Sequence, residues 1–438
     1  MAGASTPSES MSTGLLKVVE MAKRDASLRF LALAHLIDEA ALRRAYERLR
    51  KDAAVGVDGI TKEQYGEHLE DNLRALHQRL REQRYRHQPI RRVHIPKGPD
   101  KTRPIGISTT EDKIVQHAIA EVLGAIYEQD FLPCSHGFRP GRGAHDAIRG
   151  LDETVHSGRI SCILEGDIRS YFDSIDRSML KEMLQQRVAD GSFLRLVGKC
   201  LNVGVLDGAQ YVEPEVGTAQ GSVLSPLMGN IYLHHVLDVW FEREVRPQLR
   251  GYARLIRYAD DFVIAFERTD DAAGVMRELG ARMERFGLAL HPEKTRLVPF
   301  AKPPREQRGG KGPATFDFLG FTVSWRRNRT GGWRPGFETR RAGVQRFLEA
   351  VTEYCRRHRH DPVKTQHAAL CRRINGHFNY FGVNGNGTAL VRIVWVTARI
   401  WLKWLGRRSQ QRMTWKRFHE LLARHPLPAP TIRVRIWG

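Results

Sequence analysis

The fold is decided by the stretch Leu255-Ile256-Arg257-Tyr258-Ala259-Asp260-Asp261-Phe262-Val263-Ile264. Apolar residues flank the two aspartates on both sides, and this pattern predicts two short strands joined by a tight turn. Because a tight turn projects consecutive side chains from a rigid base, Asp260 and Asp261 can hold a divalent cation at the edge of a sheet. An ordinary solvated turn is the alternative, since aspartate is common in turns.

A second acidic strand end precedes this hairpin in the chain. Residues 160–168 are apolar and β-branched, which predicts a buried strand that carries Asp167 at its carboxyl end. Phosphoryl transfer onto a 3′-hydroxyl benefits from two Mg²⁺ ions about 4 Å apart, one at the attacking oxygen and one at the leaving pyrophosphate. Carboxylates from two adjacent strands can supply such a site.

These two strand ends resemble motifs A and C of reverse transcriptases. Further blocks resemble the family in the same order along the chain: Ile95-Pro96-Lys97 with Thr102-Arg103-Pro104, Gly137-Phe138-Arg139-Pro140-Gly141-Arg142, Thr218-Ala219-Gln220-Gly221, Glu293-Lys294-Thr295 and Phe318-Leu319-Gly320-Phe321. Ala219 departs from the family, which usually has proline there.

The carboxyl-terminal part resembles one branch of that family. Arg372-Arg373-Ile374-Asn375-Gly376-His377-Phe378-Asn379-Tyr380-Phe381-Gly382-Val383 is similar to the signature of the maturase domain of group II intron proteins. The resemblance extends from about residue 24 to about residue 432. By this likeness, we expect a reverse transcriptase of the kind encoded by bacterial group II introns.

The resemblance implies an α+β fold, a right-hand polymerase with fingers, a palm with an antiparallel sheet, and an all-helical thumb or maturase domain. We expect five segments: a disordered leader (1–24), a helical amino-terminal extension (25–90), fingers and palm (91–300), a connection with the last palm strand (301–340), and the helical thumb (341–438). Apolar spacing predicts helices at 27–51 and 61–84 in the extension.

The resemblance also implies the residues of the active site. Asp167, Asp260 and Asp261 are the expected catalytic residues, and with Ile168 they would bind two Mg²⁺ ions, for which Mn²⁺ could substitute. The nucleotide-binding residues would be Lys97, Arg103, Phe172, Gln220, Gly221 and Lys294. The alternative interpretation of Lys97, Arg103 and Lys294 is that they are ordinary exposed charges. The alternative for Phe172 is that it is a plain core residue. In the family, an aromatic ring at this position excludes the ribose 2′-hydroxyl.

The charge of the chain points to a polyanionic partner. Lysine and arginine number 70 against 49 acidic residues, and the sequence pI is about 10.1. We expect nucleic-acid contacts from Arg139, Arg142, Arg257, Lys403, Arg407, Arg408, Arg412, Lys416 and Arg417. The aromatic stripe of Trp401, Trp404 and Leu405 is more typical of packing within helices than of base stacking.

Other features exclude several classes of protein. We find no apolar run long enough to span a bilayer and no secretory signal, so we expect a cytoplasmic protein of the bacterial cytosol, associated with the nucleoid. The five scattered cysteines predict neither disulfides nor a zinc site, and we expect them to be buried. Neither a ribonuclease H domain nor the family's optional endonuclease is recognisable.

The expected function is RNA-directed DNA synthesis, together with binding of intron RNA to assist splicing and mobility. The expected partners are an RNA template, group II intron RNA, a DNA primer or target, and deoxynucleoside triphosphates. Three alternatives remain: a domesticated enzyme of the same chemistry in phage defence, CRISPR spacer acquisition or DNA repair, an RNA-binding splicing factor with a silent palm, and an RNA-templated RNA polymerase.

Overall fold

The computed structural model describes residues 11–96, 102–207, 210–212, 217, 221–304, 314–328, 330–408 and 413–437. Four helices form the amino-terminal part: α1 (Thr13–Arg24), α2 (Glu39–Arg48), α3 (Lys62–Gly66) and α4 (Leu69–Arg81). The prediction of a disordered leader is wrong for residues 13–24. Leu15, Val18 and Ala22 form a buried apolar stripe there, and Ser12 caps the helix. Residues 1–10 of that leader lie outside the described residues.

The two long helices predicted in the amino-terminal part are each interrupted. A short 3₁₀ turn at Ala34–Leu36 precedes α2, where one helix was predicted over 27–51. Thr61 is an N-cap, as predicted, and it forms a capping box with Gln64. The helix that it begins ends at Gly66, and α4 follows as a separate element.

The first sheet has four strands in the order β2-β1-β4-β5. Its strands are β1 (Ile90–Pro96), β2 (Thr102–Ile107), β4 (Val205–Asp207) and β5 (Gln210–Val212). β1 runs antiparallel to β2 and parallel to β4. The β1-β2 ribbon was predicted from the sequence, and the residues at its tip, including Lys97, lie outside the described part of the chain.

The central sheet is antiparallel throughout, in the order β6-β7-β3-β8. Its strands are β3 (Cys162–Asp167), β6 (Ala253–Tyr258), β7 (Asp261–Phe266) and β8 (Arg296–Pro299). Alternate residues enter two different cores: Leu164 and Ile264 belong to the large core, whereas Ile163 and Val263 belong to a second one. Because side chains alternate across a strand, a sheet covered on both faces reads as a continuous apolar run.

Helices cover both faces of the central sheet. α6 (Ala144–His156) packs on the face of the second core, and α11 (Thr269–Arg285) packs on the face of the large core. The other helices of this part of the chain are α5 (Thr110–Asp130), α7 (Tyr171–Ser174), α8 (Arg177–Gln185), α9 (Gly191–Leu201) and α10 (Ser225–Leu233). α10 continues as π-helical turns at His234–Asp238 and Trp240–Val245. Asp176 caps α8 by accepting a hydrogen bond from the Met179 amide at 2.9 Å.

A third sheet precedes the carboxyl-terminal helices. It has the order β11-β10-β9, with β9 (Phe316–Phe318), β10 (Phe321–Arg327) and β11 (Trp333–Thr339), of which β11 was not predicted. The helices that follow are α12 (Arg341–Arg357), α13 (Val363–Phe381), α14 (Gly387–Leu405) and α15 (Trp415–Arg424). Trp401 and Leu405 are buried in the core of these helices, as predicted, and Trp404 packs against it.

The observed architecture agrees with the coarse form of the predicted fold, a mixture of helices and antiparallel sheets followed by a helical carboxyl-terminal region. Four of the five cysteines are buried, and Cys371 is half-buried. Within the described ranges, we find no helix with the length and apolarity that crossing a lipid bilayer requires.

His377 is a buried polar residue in the core of the carboxyl-terminal helices. Its ring lies 5.0 Å from that of Phe347 and 4.6 Å from that of Phe381, and its Nε2 atom has no hydrogen-bond partner among the described residues. Burial lowers the pKa of His377 from 6.5 to about 4. Below pH 6.5 the unfolded chain therefore binds a proton that the folded chain does not.

We predict that His377→Phe makes the protein less sensitive to acid. The wild-type residue contributes stability that is complete above its ordinary pKa and is lost as the pH falls towards 4. Between pH 7 and pH 5, the wild type should lose about 1 to 2 kcal/mol more unfolding free energy than the variant. Denaturant titrations at both pH values measure this, with His360→Phe, on an exposed histidine, as the control. Equal losses in wild type and His377→Phe would contradict the prediction.

Candidate active site

The hairpin of β6 and β7 carries two of the predicted catalytic aspartates at its tip. Tyr258 pairs with Asp261, so only Ala259 and Asp260 form the loop. Ala259 has a φ of +56°, a left-handed conformation that residues with a side chain adopt at some cost. The apolar strands on either side hold this two-residue turn in place.

The third aspartate lies directly beside this tip. Asp167, the last residue of β3, pairs with Asp261, the first residue of β7. The Asp167 carbonyl accepts a hydrogen bond from the His291 amide at 2.8 Å, on the side of β3 that faces away from β7. Asp167 and Asp261 are therefore a non-hydrogen-bonded pair, in which Cα atoms lie about 4.5 Å apart and side chains share a face. The structure brings the three aspartates together.

Burial and neighbouring carboxylates raise the pKa of Asp260 and of Asp261. Burial is the main cause that raises the pKa of Asp261 to about 7, and the charges of Asp260, Asp167 and Glu165 add to it. Burial also raises the pKa of Asp260, with a contribution from Asp167, while the charge of Arg103 opposes this shift. The site thus concentrates more negative charge than its neighbours neutralise, and a bound cation would relieve this.

In this structure, the carboxylates face other partners. Lys294 Nζ lies 2.7 Å from Asp167 Oδ2, and the Leu319 amide donates to Asp261 Oδ2 at 3.3 Å. Among the residues that the structure describes, no group of three or more His, Cys, Asp or Glu side chains is arranged to hold a metal ion. The donor set nevertheless fits Mg²⁺, because carboxylate and carbonyl oxygens are its preferred ligands.

Ile168 can add a carbonyl oxygen to this set. The residues on either side of it, Asp167 and Arg169, exchange backbone hydrogen bonds with the segment around Leu290. In a strand, the backbone groups of successive residues point to opposite sides. The Ile168 carbonyl therefore faces the β7 side of β3, where the aspartates lie.

The loop at Gly221 packs against β2. Gly221 has a φ of +102°, and a Cβ atom there would lie 2.6 Å from the Gly106 carbonyl oxygen in β2. The buried Gln116 fixes the next residues, because its Oε1 atom accepts hydrogen bonds from Ser222 Oγ and the Val223 amide at 3.1 Å. We did not predict Gln116, although an amide within the apolar face of α5 is a signal. Gln220 lies outside the described residues.

Phe172 and Arg103 also lie near the aspartates. Phe172 is half-buried in α7, and its ring centroid lies 5.2 Å from that of Tyr171. A Cβ atom on Gly229 would lie 3.2 Å from the Phe172 ring. Arg103 is an exposed residue of β2, and its charge opposes the rise in pKa that burial causes in both Asp260 and Asp173. The structure thus places Lys294 against Asp167 and brings Arg103 close enough for its charge to act on Asp260, while Phe172 lies five residues after Asp167 in the chain.

Two of the arginines predicted to contact nucleic acid are buried, so those predictions are wrong. Arg257 is fully buried and forms an ion pair with Asp238 at 2.5 Å. Arg139 is 8% exposed and contacts Glu128 at 2.9 Å. Arg142 is half-buried and donates to the carbonyl oxygens of residues 133 and 135. The sequence shows the charge of an arginine but not the acids and carbonyls that surround it in the fold.

The predicted cations of the carboxyl-terminal helices are mostly at the surface. Lys403, Arg407, Lys416 and Arg417 are exposed. Arg408 is half-buried and donates to the His360 carbonyl oxygen, and Arg412 lies outside the described residues. We did not predict the exposed Trp395, over which the Arg399 guanidinium lies at 4.5 Å.

Comparisons with known proteins identify the family of the segment that carries this site. Residues 95–323, more than half of the chain, match the family described as "Reverse transcriptase (RNA-dependent DNA polymerase)". This segment contains all three aspartates.

Individual relatives extend the similarity beyond that segment. "Protein YkfC" of Escherichia coli (strain K12) is 31% identical over 374 residues, covering 77% of this chain and 94% of the relative. "Group II intron-encoded protein LtrA" of Lactococcus lactis subsp. cremoris is 28% identical over 344 residues, 65% of this chain and 55% of LtrA. The "Uncharacterized 91 kDa protein in cob intron" of Schizosaccharomyces pombe is 36% identical over 198 residues, 45% of this chain and 24% of that protein.

The coverage differs between these relatives. The chain spans nearly all of the E. coli protein but only about half of LtrA. The family match and the intron-encoded relatives support the interpretation drawn from the motifs. This chain belongs to the reverse transcriptase family, among the reverse transcriptases and maturases of group II introns.

Proposed function

We propose that this protein copies RNA into DNA, extending a 3′-hydroxyl primer with deoxynucleotides at a site built from Asp167, Asp260 and Asp261. One observation carries the proposal: Asp167 pairs with Asp261 across two central strands, with Asp260 in the adjoining turn. The Ile168 carbonyl completes a set of oxygen ligands for two Mg²⁺ ions. When bound, such ions activate the attacking hydroxyl and neutralise the leaving pyrophosphate.

The chain's own residues would bind and orient the nucleotide. Arg103, whose charge already reaches Asp260, would contact the triphosphate, and Lys97 and Gln220 are proposed by family likeness to assist it. Lys294 lies at the rim of the site with an ammonium group that can donate a proton to pyrophosphate. Phe172 would close the space of a ribose 2′-hydroxyl and thereby select deoxynucleotides.

The larger architecture fits a right-hand polymerase. The β1-β2 ribbon and the amino-terminal helices would be the fingers, the central sheet the palm, and α12 to α15 the thumb or maturase domain. The exposed cations of the last two helices, among them Lys403 and Lys416, suit contact with RNA phosphates. We propose that this surface binds intron RNA and assists splicing, as the names of the intron-encoded relatives suggest.

Primer extension tests the proposed polymerase activity directly. The wild type should extend a DNA primer on an RNA template with deoxynucleotides and Mg²⁺, and ribonucleotides should be poor substrates. Asp260→Asn keeps the size of the side chain but removes a charged metal ligand, so the extension rate should fall by a factor of about 10³ or more. Asp71→Asn, on an aspartate that is 77% exposed in α4, is the matched control.

Each alternative function has its own outcome in this assay. Extension with ribonucleotides in preference to deoxynucleotides indicates an RNA polymerase. A wild type that binds RNA without extending any primer indicates a splicing factor without polymerase activity. Extension by Asp260→Asn at the wild-type rate removes the basis of the proposed site. A domesticated enzyme of the same chemistry gives the same result as the intron enzyme, and its affinity for intron RNA then separates the two.

The loop at Gly221 gives a prediction about nucleotide binding. In Gly221→Ala, the new methyl group meets the Gly106 carbonyl oxygen and Ile105, and the positive φ adds strain. The loop must move away from β2, so we expect KM for the deoxynucleotide to rise by about tenfold. The control is Gly124→Ala in α5, where no atom lies within 4 Å of the new methyl group. Steady-state primer extension measures both, and an unchanged KM in Gly221→Ala would contradict a nucleotide-binding role.

A further inference from the structure

Arg257 is a charged residue that is fully buried in the protein. It lies in β6, directly before the Tyr258-Ala259-Asp260-Asp261 turn, and its side chain and that of Asp238 are both 0% exposed. The two groups form a bidentate ion pair, with Nε donating to Oδ1 at 2.7 Å and Nη2 to Oδ2 at 2.5 Å. This geometry fixes the orientation of the guanidinium plane.

The remaining donors of this guanidinium are also used. Nη1 donates to Asn230 Oδ1 and to the Ala259 carbonyl oxygen, both at 3.0 Å, and Nη2 donates to Ser135 Oγ at 2.8 Å. An arginine has five N–H groups, and each of them thus has an acceptor. One of these acceptors, the Ala259 carbonyl, belongs to the catalytic turn itself.

The groups that Arg257 joins come from three parts of the chain outside the hairpin. Asn230 lies in α10, Asp238 in the π-helical turn that continues α10, and Ser135 in the loop after α5. The loop also forms hydrogen bonds with the backbone of Arg257. The Arg257 amide donates to the Cys134 carbonyl oxygen at 2.8 Å, and the Arg257 carbonyl oxygen accepts from the His136 amide at 2.9 Å. Arg257 therefore connects the base of the turn both to α10 with its π-helical continuation and to the loop after α5.

The loop touches the turn at a second point. Asn230 Nδ2 donates to the Gly137 carbonyl oxygen at 2.7 Å, and this holds Gly137 against the turn. A Cβ atom on Gly137 would lie 2.4 Å from the Ala259 nitrogen, so only glycine fits this approach. Two atoms of Ala259, its nitrogen and its carbonyl oxygen, are thus constrained from the same network.

Stability alone is a weak reason for such a network. The free energy needed to remove two charges from water offsets much of the Coulombic attraction between them. Apolar residues of similar volume often stabilise a protein as well or better. A network whose acceptors include the backbone of a strained catalytic turn has a second effect, which is to fix the position of that turn.

We propose that Arg257 is a positioning residue for polymerisation: with Asp238, Asn230 and Ser135, it holds the turn so that Asp260 and Asp261 stand opposite Asp167. This inference rests on the proposed polymerase function. In this proposal Arg257 acts inside the protein, whereas the sequence had predicted that it contacts nucleic acid.

A matched ion pair elsewhere in the protein separates positioning from stability. Arg187 pairs with Asp130 at 2.9 Å, with side chains that are 5% and 11% exposed, and it also donates to the carbonyl oxygens of Asp25 and Leu28. These contacts tie the amino-terminal segment to the end of α5. None of the hydrogen bonds that Arg187 forms with the described residues Asp130, Asp25, Leu28 and Ala22 reaches the catalytic turn.

The experiment compares Arg257→Lys with Arg187→Lys in the full chain. Each lysine keeps the positive charge and loses the planar fork. The readouts are the melting temperature, the dissociation constant for primer-template, and the maximal rate and apparent affinity for one deoxynucleotide in single-turnover extension. In Arg257→Lys, the maximal rate should fall about 10- to 100-fold while primer-template affinity changes by less than about twofold, because small displacements of reacting groups are costly. Arg187→Lys should lower the melting temperature comparably and keep its rate within about twofold.

Further outcomes keep the proposal falsifiable. If Arg257→Lys slows extension no more than Arg187→Lys at a similar loss of melting temperature, the network is only structural and the proposal fails. If Arg257→Lys does not fold, Gly137→Ala perturbs the same turn from the loop side, and a wild-type rate in that variant overturns the proposal. Failure of the wild type to extend any primer is a different result, because it overturns the proposed function itself.

Discussion

The mutual repulsion of three carboxylates is the physical constraint on which the rest of the structure depends. Asp167 and Asp261 face each other across two strands, and Asp260 is in the adjoining turn. Two unit charges about 4 Å apart near a protein surface repel by about 4 kcal/mol. Burial is the main cause that raises the pKa of Asp261 to about 7, and the charges of the neighbouring carboxylates add to it. Such a site persists only if the surrounding fold holds it rigidly.

The fold supplies that rigidity in layers. The central sheet is covered on both faces, so its strands cannot slide without exposing one of two cores. Behind the turn, a buried arginine network contacts Ala259, and in front of it a glycine loop rests on β2. Among the residues that the structure describes, Lys294 Nζ contacts Asp167 Oδ2 and the Leu319 amide donates to Asp261 Oδ2. The resulting site is rigid in its backbone and accessible at its charged face.

The sequence was sufficient to predict the parts of the fold that have a regular apolar pattern. The β6-β7 hairpin, β3 and the helical character of the chain after residue 341 follow from apolar runs and helical spacing, whereas the bounds of the four helices there were not predicted. β11 was not predicted because Pro335 and Gly336 interrupt its alternation of apolar and polar residues. α1 was not predicted because the segment that precedes it is rich in serine. The three aspartates could be predicted from motif and spacing. The burial of Arg257 and Arg139 could not be predicted. Their acidic partners are remote in sequence or belong to elements whose packing the sequence does not show.

The most direct test of the central claim is to count and locate metal ions in the assembled complex. The protein would be bound to an RNA template, a DNA primer that ends in a dideoxynucleotide, and the next deoxynucleoside triphosphate, with Mn²⁺ in place of Mg²⁺. Electron paramagnetic resonance should then show two bound Mn²⁺ ions with the spin coupling of a pair about 4 Å apart. Asp167→Asn should abolish this coupling. A single Mn²⁺ ion, or two ions without coupling, in the wild-type complex would contradict a shared site of three carboxylates.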